Sequence, residues 1–156
     1  MAQTRVWFVA MILAVCMLGC GGSEYRFGNT RTLPNLSGQW AVTATSQTMS
    51  QQFQGTANVA QTNLALQGSV SNLFDYCAPT ATISGTLDGT QPLDPNAVTS
   101  YALTLTMQEN LTGGGTQMIT LTGSASADGT HMSGTYTALA GLCTTGDTGV
   151  WTANKN

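Results

Sequence analysis

The sequence predicts an all-β protein, an eight-stranded antiparallel up-and-down barrel, with a two-sheet β-sandwich as the alternative. Three observations predict it. Eight segments alternate apolar with polar residues at a period of two, the mark of strands with one dry and one wet face. Glycines recur on the apolar side of those segments. Charged residues make up only 7% of the 156-residue chain, against 42% apolar residues and 18 glycines. Solubility therefore rests on Thr, Ser, Asn and Gln, which suits a Thr-rich sheet protein and argues against a helical bundle.

The first segment sets the pattern. In Leu36-Ser-Gly-Gln-Trp40-Ala-Val-Thr-Ala44, the residues Leu36, Gly38, Trp40, Val42 and Ala44 share one face. The second strand is expected over 53–59, with Phe53, Gly55, Ala57 and Val59 inward, and Gln61-Thr62-Asn63 turns the chain into a third over 64–70. The fourth, 81–87, is stopped by Asp88-Gly89, and Pro92 and Pro95 keep the next loop out of any sheet. The fifth is the clearest, with Tyr101, Leu103, Leu105 and Met107 alternating with Ala102, Thr104, Thr106 and Gln108. Gly113-Gly114-Gly115 leads into a sixth over 119–125. Asp128-Gly129 then reads as a type I′ hairpin turn, with positive φ at both positions. The seventh strand, 132–138, and a short eighth, 149–153, complete the set.

Barrel is preferred over sandwich for three reasons. Inward glycines at Gly38, Gly55, Gly68, Gly85, Gly123 and Gly134 allow strongly coiled strands. Gly-x-Trp occurs in both the first and last strands, at Gly38/Trp40 and Gly149/Trp151. If those strands pair, the sheet closes without edges and the two indoles are expected to pack near each other. Every connection can be local.

Ahead of the barrel, Arg5 is followed by an apolar run of 13 residues, Val6 to Leu18, then Gly19-Cys20-Gly21-Gly22-Ser23. The run is short for a membrane span and ends in small residues, so 1–19 reads as a signal peptide helix removed from the mature protein. The ending Met17-Leu18-Gly19-Cys20 resembles the lipobox of bacterial lipoproteins. Gly19 and Cys20 match, whereas leucine is more usual at Met17 and a small residue at Leu18. The resemblance implies cleavage before Cys20, a diacylglyceryl group on its thiol, and a protein held on a membrane of the bacterial cell envelope. Gly21 after the cysteine resembles the outer-membrane sorting pattern, with the domain facing the periplasm or the cell surface. Residues 20–35 lack periodicity and read as the tether, with Arg26 and Arg31 as solvated linker charge. The β-domain is 36–156.

From Leu36 onward six acids stand against one base, Lys155. That balance excludes the basic footprint nucleic acid requires, and it gives the folded domain no attraction to anionic lipid. Once Cys16 leaves with the signal and Cys20 is acylated, Cys77 and Cys143 remain, in an oxidising compartment. They fall between strands three and four and between seven and eight, loops that a meander places at the same end. A disulfide closing 66 residues is the expectation, at roughly 4 kcal/mol in the chain-entropy model, and it would partly lid that end. Two free thiols or metal ligands are the alternatives.

Reactive clusters are not evident. The single histidine, His131, follows a turn and has no serine-plus-acid partner nearby. Zinc would need more His and Cys than remain. Asp88, Asp94 and Asn96 share a loop, but their spacing fits no EF-hand and matches ordinary turn chemistry. The glycine triplet lacks the lysine and helix of a phosphate loop. Asp147 reads as a solvated loop residue. An enzyme, a metal site and a cofactor are therefore not expected.

Two readings remain. In the first, a rigid, non-catalytic, lipid-anchored barrel serves envelope structure or surface interaction. In the second, the barrel carries a small apolar ligand among Trp40, Phe53, Tyr101, Leu103, Leu105, Met107, Tyr136 and Trp151. Interiors of eight-stranded barrels are either just filled or open to one small ligand. The Leu36-Ser-Gly-Gln-Trp40 opening resembles the Gly-x-Trp first-strand motif of lipocalins, and more loosely the first strand of avidins. Only Gly38 and Trp40 carry over. The resemblance implies a calyx without naming a ligand. Lipocalins set an arginine of the last strand against that tryptophan, which this chain lacks, and the competing role for Trp40 is to plug the barrel floor.

Overall fold

The computed structural model describes residues 33–72, 78–89, 99–140 and 146–156. They form eight strands, β1 (Gly38–Ser46), β2 (Gln52–Thr62), β3 (Ala65–Ser71), β4 (Thr80–Leu87), β5 (Ser100–Asn110), β6 (Thr116–Ser126), β7 (His131–Ala138) and β8 (Asp147–Lys155). Each pairs antiparallel with its sequence neighbour, and β1 pairs with β8, so the sheet is a closed up-and-down barrel. The sandwich alternative is thereby excluded. The expected signal helix lies outside the described residues.

Alternation decides inside from outside. The inward set of β5 (Tyr101, Leu103, Leu105) and of β6 (Ile119, Leu121, Ala125) is buried. Outward positions carry hydroxyls in register. Thr86, Thr104, Thr122 and Thr135 are successive partners across β4 to β7, with the Oγ1 atoms of Thr122 and Thr135 3.2 Å apart. Such cross-strand hydroxyl pairs stabilise a wetted sheet face. Apolar inside and hydroxylated outside is the reverse of a membrane-spanning barrel, whose outer band is apolar.

The two ends differ. At one, Leu36 crosses the barrel bottom and is fully buried with Trp40, whose Nε1 donates to the Leu36 carbonyl at 2.9 Å. The strap carrying Leu36 is tied to β2: Leu36 N donates to Gln61 Oε1 at 2.7 Å, and Gln61 N donates to Ser37 Oγ at 3.0 Å. Lys155 Nζ donates to the Asn35 carbonyl at 2.7 Å and stands 5.7 Å from the Trp40 ring centroid. A last-strand cation thus faces the tryptophan. Leu33 packs against the core from this end and Pro34 is buried.

Three local expectations are corrected. Trp40 pairs with Lys155 while Trp151 pairs with Ala44. The register therefore separates the indoles by four residues along β8, about 13 Å, and they occupy different levels of the barrel. Gly38 is exposed at the start of β1 with φ of 137°, and the Lys155 stem would lie 3.0 Å from a Cβ there. Asp128-Gly129 is not a type I′ turn, because only Gly129 has positive φ, at 70°. Side chains hold a longer connection instead. Gly129 N donates to the Ser126 carbonyl at 3.0 Å, Thr130 N to Asp128 Oδ1 at 3.1 Å, and His131 N to Ser126 Oγ at 3.0 Å. An acidic Asx-type turn followed by one left-handed glycine is a lower-strain way to close this hairpin.

Candidate functional site

The other end of the barrel opens into a cavity of about 330 Å³. An engineered cavity of roughly 150 Å³ holds benzene, so this one has room for about two rings. Its cause is the distribution of small inward residues. Ala44 on β1, Gly55 and Ala57 on β2, Ala138 on β7 and Ala153 on β8 stand among larger lining residues of the same four strands, Phe53, Tyr136 and Trp151. Facing them are Leu66, Val70, Ile83, Leu105, Ile119 and Leu121 from β3 to β6. Where the small residues stand the wall recedes, and a gap is left.

Of the residues singled out as a ligand-binding interior, Phe53, Leu105, Met107, Tyr136 and Trp151 line this cavity. Trp40, Tyr101 and Leu103 are buried in the core and do not line it. Trp40 takes the floor-sealing role. Trp151 stands in the wall with its Nε1 donating to the Thr135 carbonyl at 3.2 Å, which fixes the indole against the cavity.

Near the mouth the lining turns polar. Asp147, expected to be solvated, is instead the first residue of β8 and only 6% exposed. Its Oδ1 accepts from Ser46 Oγ at 2.7 Å and its Oδ2 from Tyr136 OH at 2.6 Å. Ser46 Oγ in turn accepts from Met49 N at 2.8 Å, linking the β1–β2 connection to the same carboxylate. Burial pushes the Asp147 pKa up. Hydrogen bonds from Tyr136, Ser46, Thr48 and the Thr148 backbone outweigh it and hold the carboxyl below the usual carboxylate range. Burial, and then the hydrogen bond and charge of Asp147, push the Tyr136 phenol well above its ordinary value, so it stays a donor.

Glu109 and Gln117 complete the rim. They are direct partners across β5 and β6, and both are buried, at 7% and 6% exposure. Gln117 Oε1 is enclosed with no hydrogen-bond partner. Glu109 and Gln117 both lie beyond the strand ends that the sequence pattern predicts, Gln108 for the fifth strand and Ile119 for the sixth. Parity was the available signal, because Glu109 continues the inward series of Leu105 and Met107, and Gln117 that of Ile119 and Leu121.

His131 is exposed on the outside, with Nδ1 2.9 Å from Asn154 Oδ1, and is not brought to the cavity. Among the described residues, no group of three or more His, Cys, Asp or Glu is placed to hold a metal ion. Cys20, Cys77 and Cys143 lie outside the described residues. The strand ends that flank the two loop cysteines, Ser71 and Thr80, Ala138 and Asp147, all stand at the open end. No protein-family model matches the chain, and no curated protein matches it.

Proposed function

We propose that this chain is a non-catalytic binding protein of the bacterial cell envelope, anchored through acylated Cys20, whose barrel carries one small, largely apolar ligand. The observation that carries the reading is the cavity of about 330 Å³, sealed by Leu36 and Trp40 at one end and, among the described residues, open at the other. A barrel serving only as a rigid envelope element has no need of an apolar interior left unfilled, because every unfilled volume forfeits packing energy. The volume falls at the lower end of the range typical of ligand sites, roughly 300–1,000 Å³. The lipobox-like Met17-Leu18-Gly19-Cys20 supports the anchor, and placement at the outer membrane rests on Gly21.

The test is native mass spectrometry of the full chain expressed with its signal sequence. A co-purifying small molecule, released on denaturation, is the expected result. A protein that neither retains nor takes up any apolar compound overturns the carrier reading in favour of a structural role. Intact mass after detergent extraction tests the anchor separately. Cys20 should be the first residue and carry the mass of its acyl groups, and an unmodified cysteine rejects the lipoprotein assignment.

A further inference from the structure

We propose that the ligand is a cation, an apolar body of about two rings bearing an N–H-donating ammonium or amidinium head, seated with its head at the barrel mouth against Glu109, Gln117 and Asp147. The proposal rests on the carrier reading and names the class of molecule carried.

Three observations converge on it. The first is an acceptor without a donor. Gln117 is 94% enclosed, lines the cavity, and its Oε1 has no hydrogen-bond partner. An enclosed carbonyl oxygen left unpaired is costly, and such groups in folded proteins call for an explanation. A donor arriving with a ligand supplies one. The second is charge. Glu109 stands directly opposite Gln117 on the same inner face, and side chains so paired have Cβ atoms about 5 Å apart. Asp147 lines the same cavity, and the side chains that donate to it, Ser46, Tyr136 and Thr48, are all neutral.

The third is the location of positive charge. Lys155, the one Lys or Arg among the described residues, is engaged at the sealed end with Asn35 and Trp40. Among the described residues the mouth thus carries two carboxylates, no Lys or Arg, and in Gln117 Oε1 an acceptor without a donor, in low-dielectric surroundings that strengthen attraction to a cation. An anionic ligand such as a fatty acid would meet two like charges and no donor to Gln117 Oε1. The apolar walls below the rim take the body of the ligand, and the polar rim takes its head. That division also fixes orientation, head outward and rings inward.

Isothermal titration calorimetry of the full-length protein with four probes of one shape tests this. They are naphthylmethylamine, naphthylmethanol, methylnaphthalene and naphthoate. Wild type should bind the amine about tenfold or more tightly than methylnaphthalene, as expected for charge-assisted hydrogen bonds in a dry site, and naphthoate most weakly. Gln117→Leu should cut the amine preference at least threefold and leave methylnaphthalene binding unchanged or tighter. Glu109→Gln should bring the amine close to the alcohol. Equal binding of amine and methylnaphthalene by wild type, or tighter binding of naphthoate, overturns the cationic head while leaving the carrier reading intact. Failure of all four probes overturns both. Should either variant not fold, as judged by circular dichroism, the wild-type probe series alone decides.

Discussion

Asp147 is the residue on which the open end of the barrel turns. It joins β1, through Ser46, to β7, through Tyr136, with hydrogen bonds of 2.7 and 2.6 Å. Hydrogen bonds to a buried charge contribute roughly 1.5–3 kcal/mol each. Ser46→Ala should therefore lower unfolding free energy by about that amount in urea titrations, and a loss under roughly 0.5 kcal/mol would remove Ser46 from the account. The pH dependence has a definite sign. A carboxyl held below its ordinary range in the folded state contributes stability above the unfolded-state value of about 3.9, and the contribution is lost as pH falls from there through the folded-state pKa. Asp147→Asn should be less stable than wild type at neutral pH, and the gap should narrow in urea titrations at about pH 3. A gap that widens on acidification contradicts the stated role.

At the scale of elements, the barrel depends on how closely its strands approach. Gly123 and Gly134 face each other across β6 and β7. A Cβ on Gly134 would fall onto the Thr122 carbonyl, and one on Gly123 onto the Ser133 carbonyl. Overpacking of this kind typically costs about 1–3 kcal/mol, so Gly134→Ala should show that loss in thermal or urea unfolding. Gly113→Ala, where a Cβ meets nothing within 4 Å, should stay within about 0.5 kcal/mol of wild type. Equal effects at the two positions would refute the close-approach explanation. The glycine spacing, together with alternation, is why all eight strands could be read from the chain. The interior of each was legible because parity survives any ambiguity about its ends. What escaped lay at those ends. Glu109 and Gln117 are polar residues at inward positions, and a reading that equates polar with outside truncates the strand just before them. Asp147 was hidden for a related reason, since its burial depends on Ser46, 101 residues away. The Trp40–Trp151 offset was equally out of reach, because composition fixes which strands close a barrel but not their stagger.

The described residues of the barrel form a cup, closed below by a strap and a tryptophan and wetted on its outer wall by threonine. Closing and opening are separate physical tasks and should fail separately. Trp40→Ala should cost about 3–5 kcal/mol and broaden unfolding, because it removes the largest buried side chain of the floor and the donor to Leu36. Ala57→Trp should instead fill the cavity and, on the carrier reading, abolish naphthalene uptake in a protein that still folds. On the carrier reading proposed above, the barrel interior is an accessible apolar site and not a filled core. Calorimetric titration of wild type with naphthalene tests it most directly. Saturable one-to-one binding with a negative heat-capacity change, lost in Ala57→Trp, is the predicted result, and wild type that takes up no naphthalene at its solubility limit would contradict it.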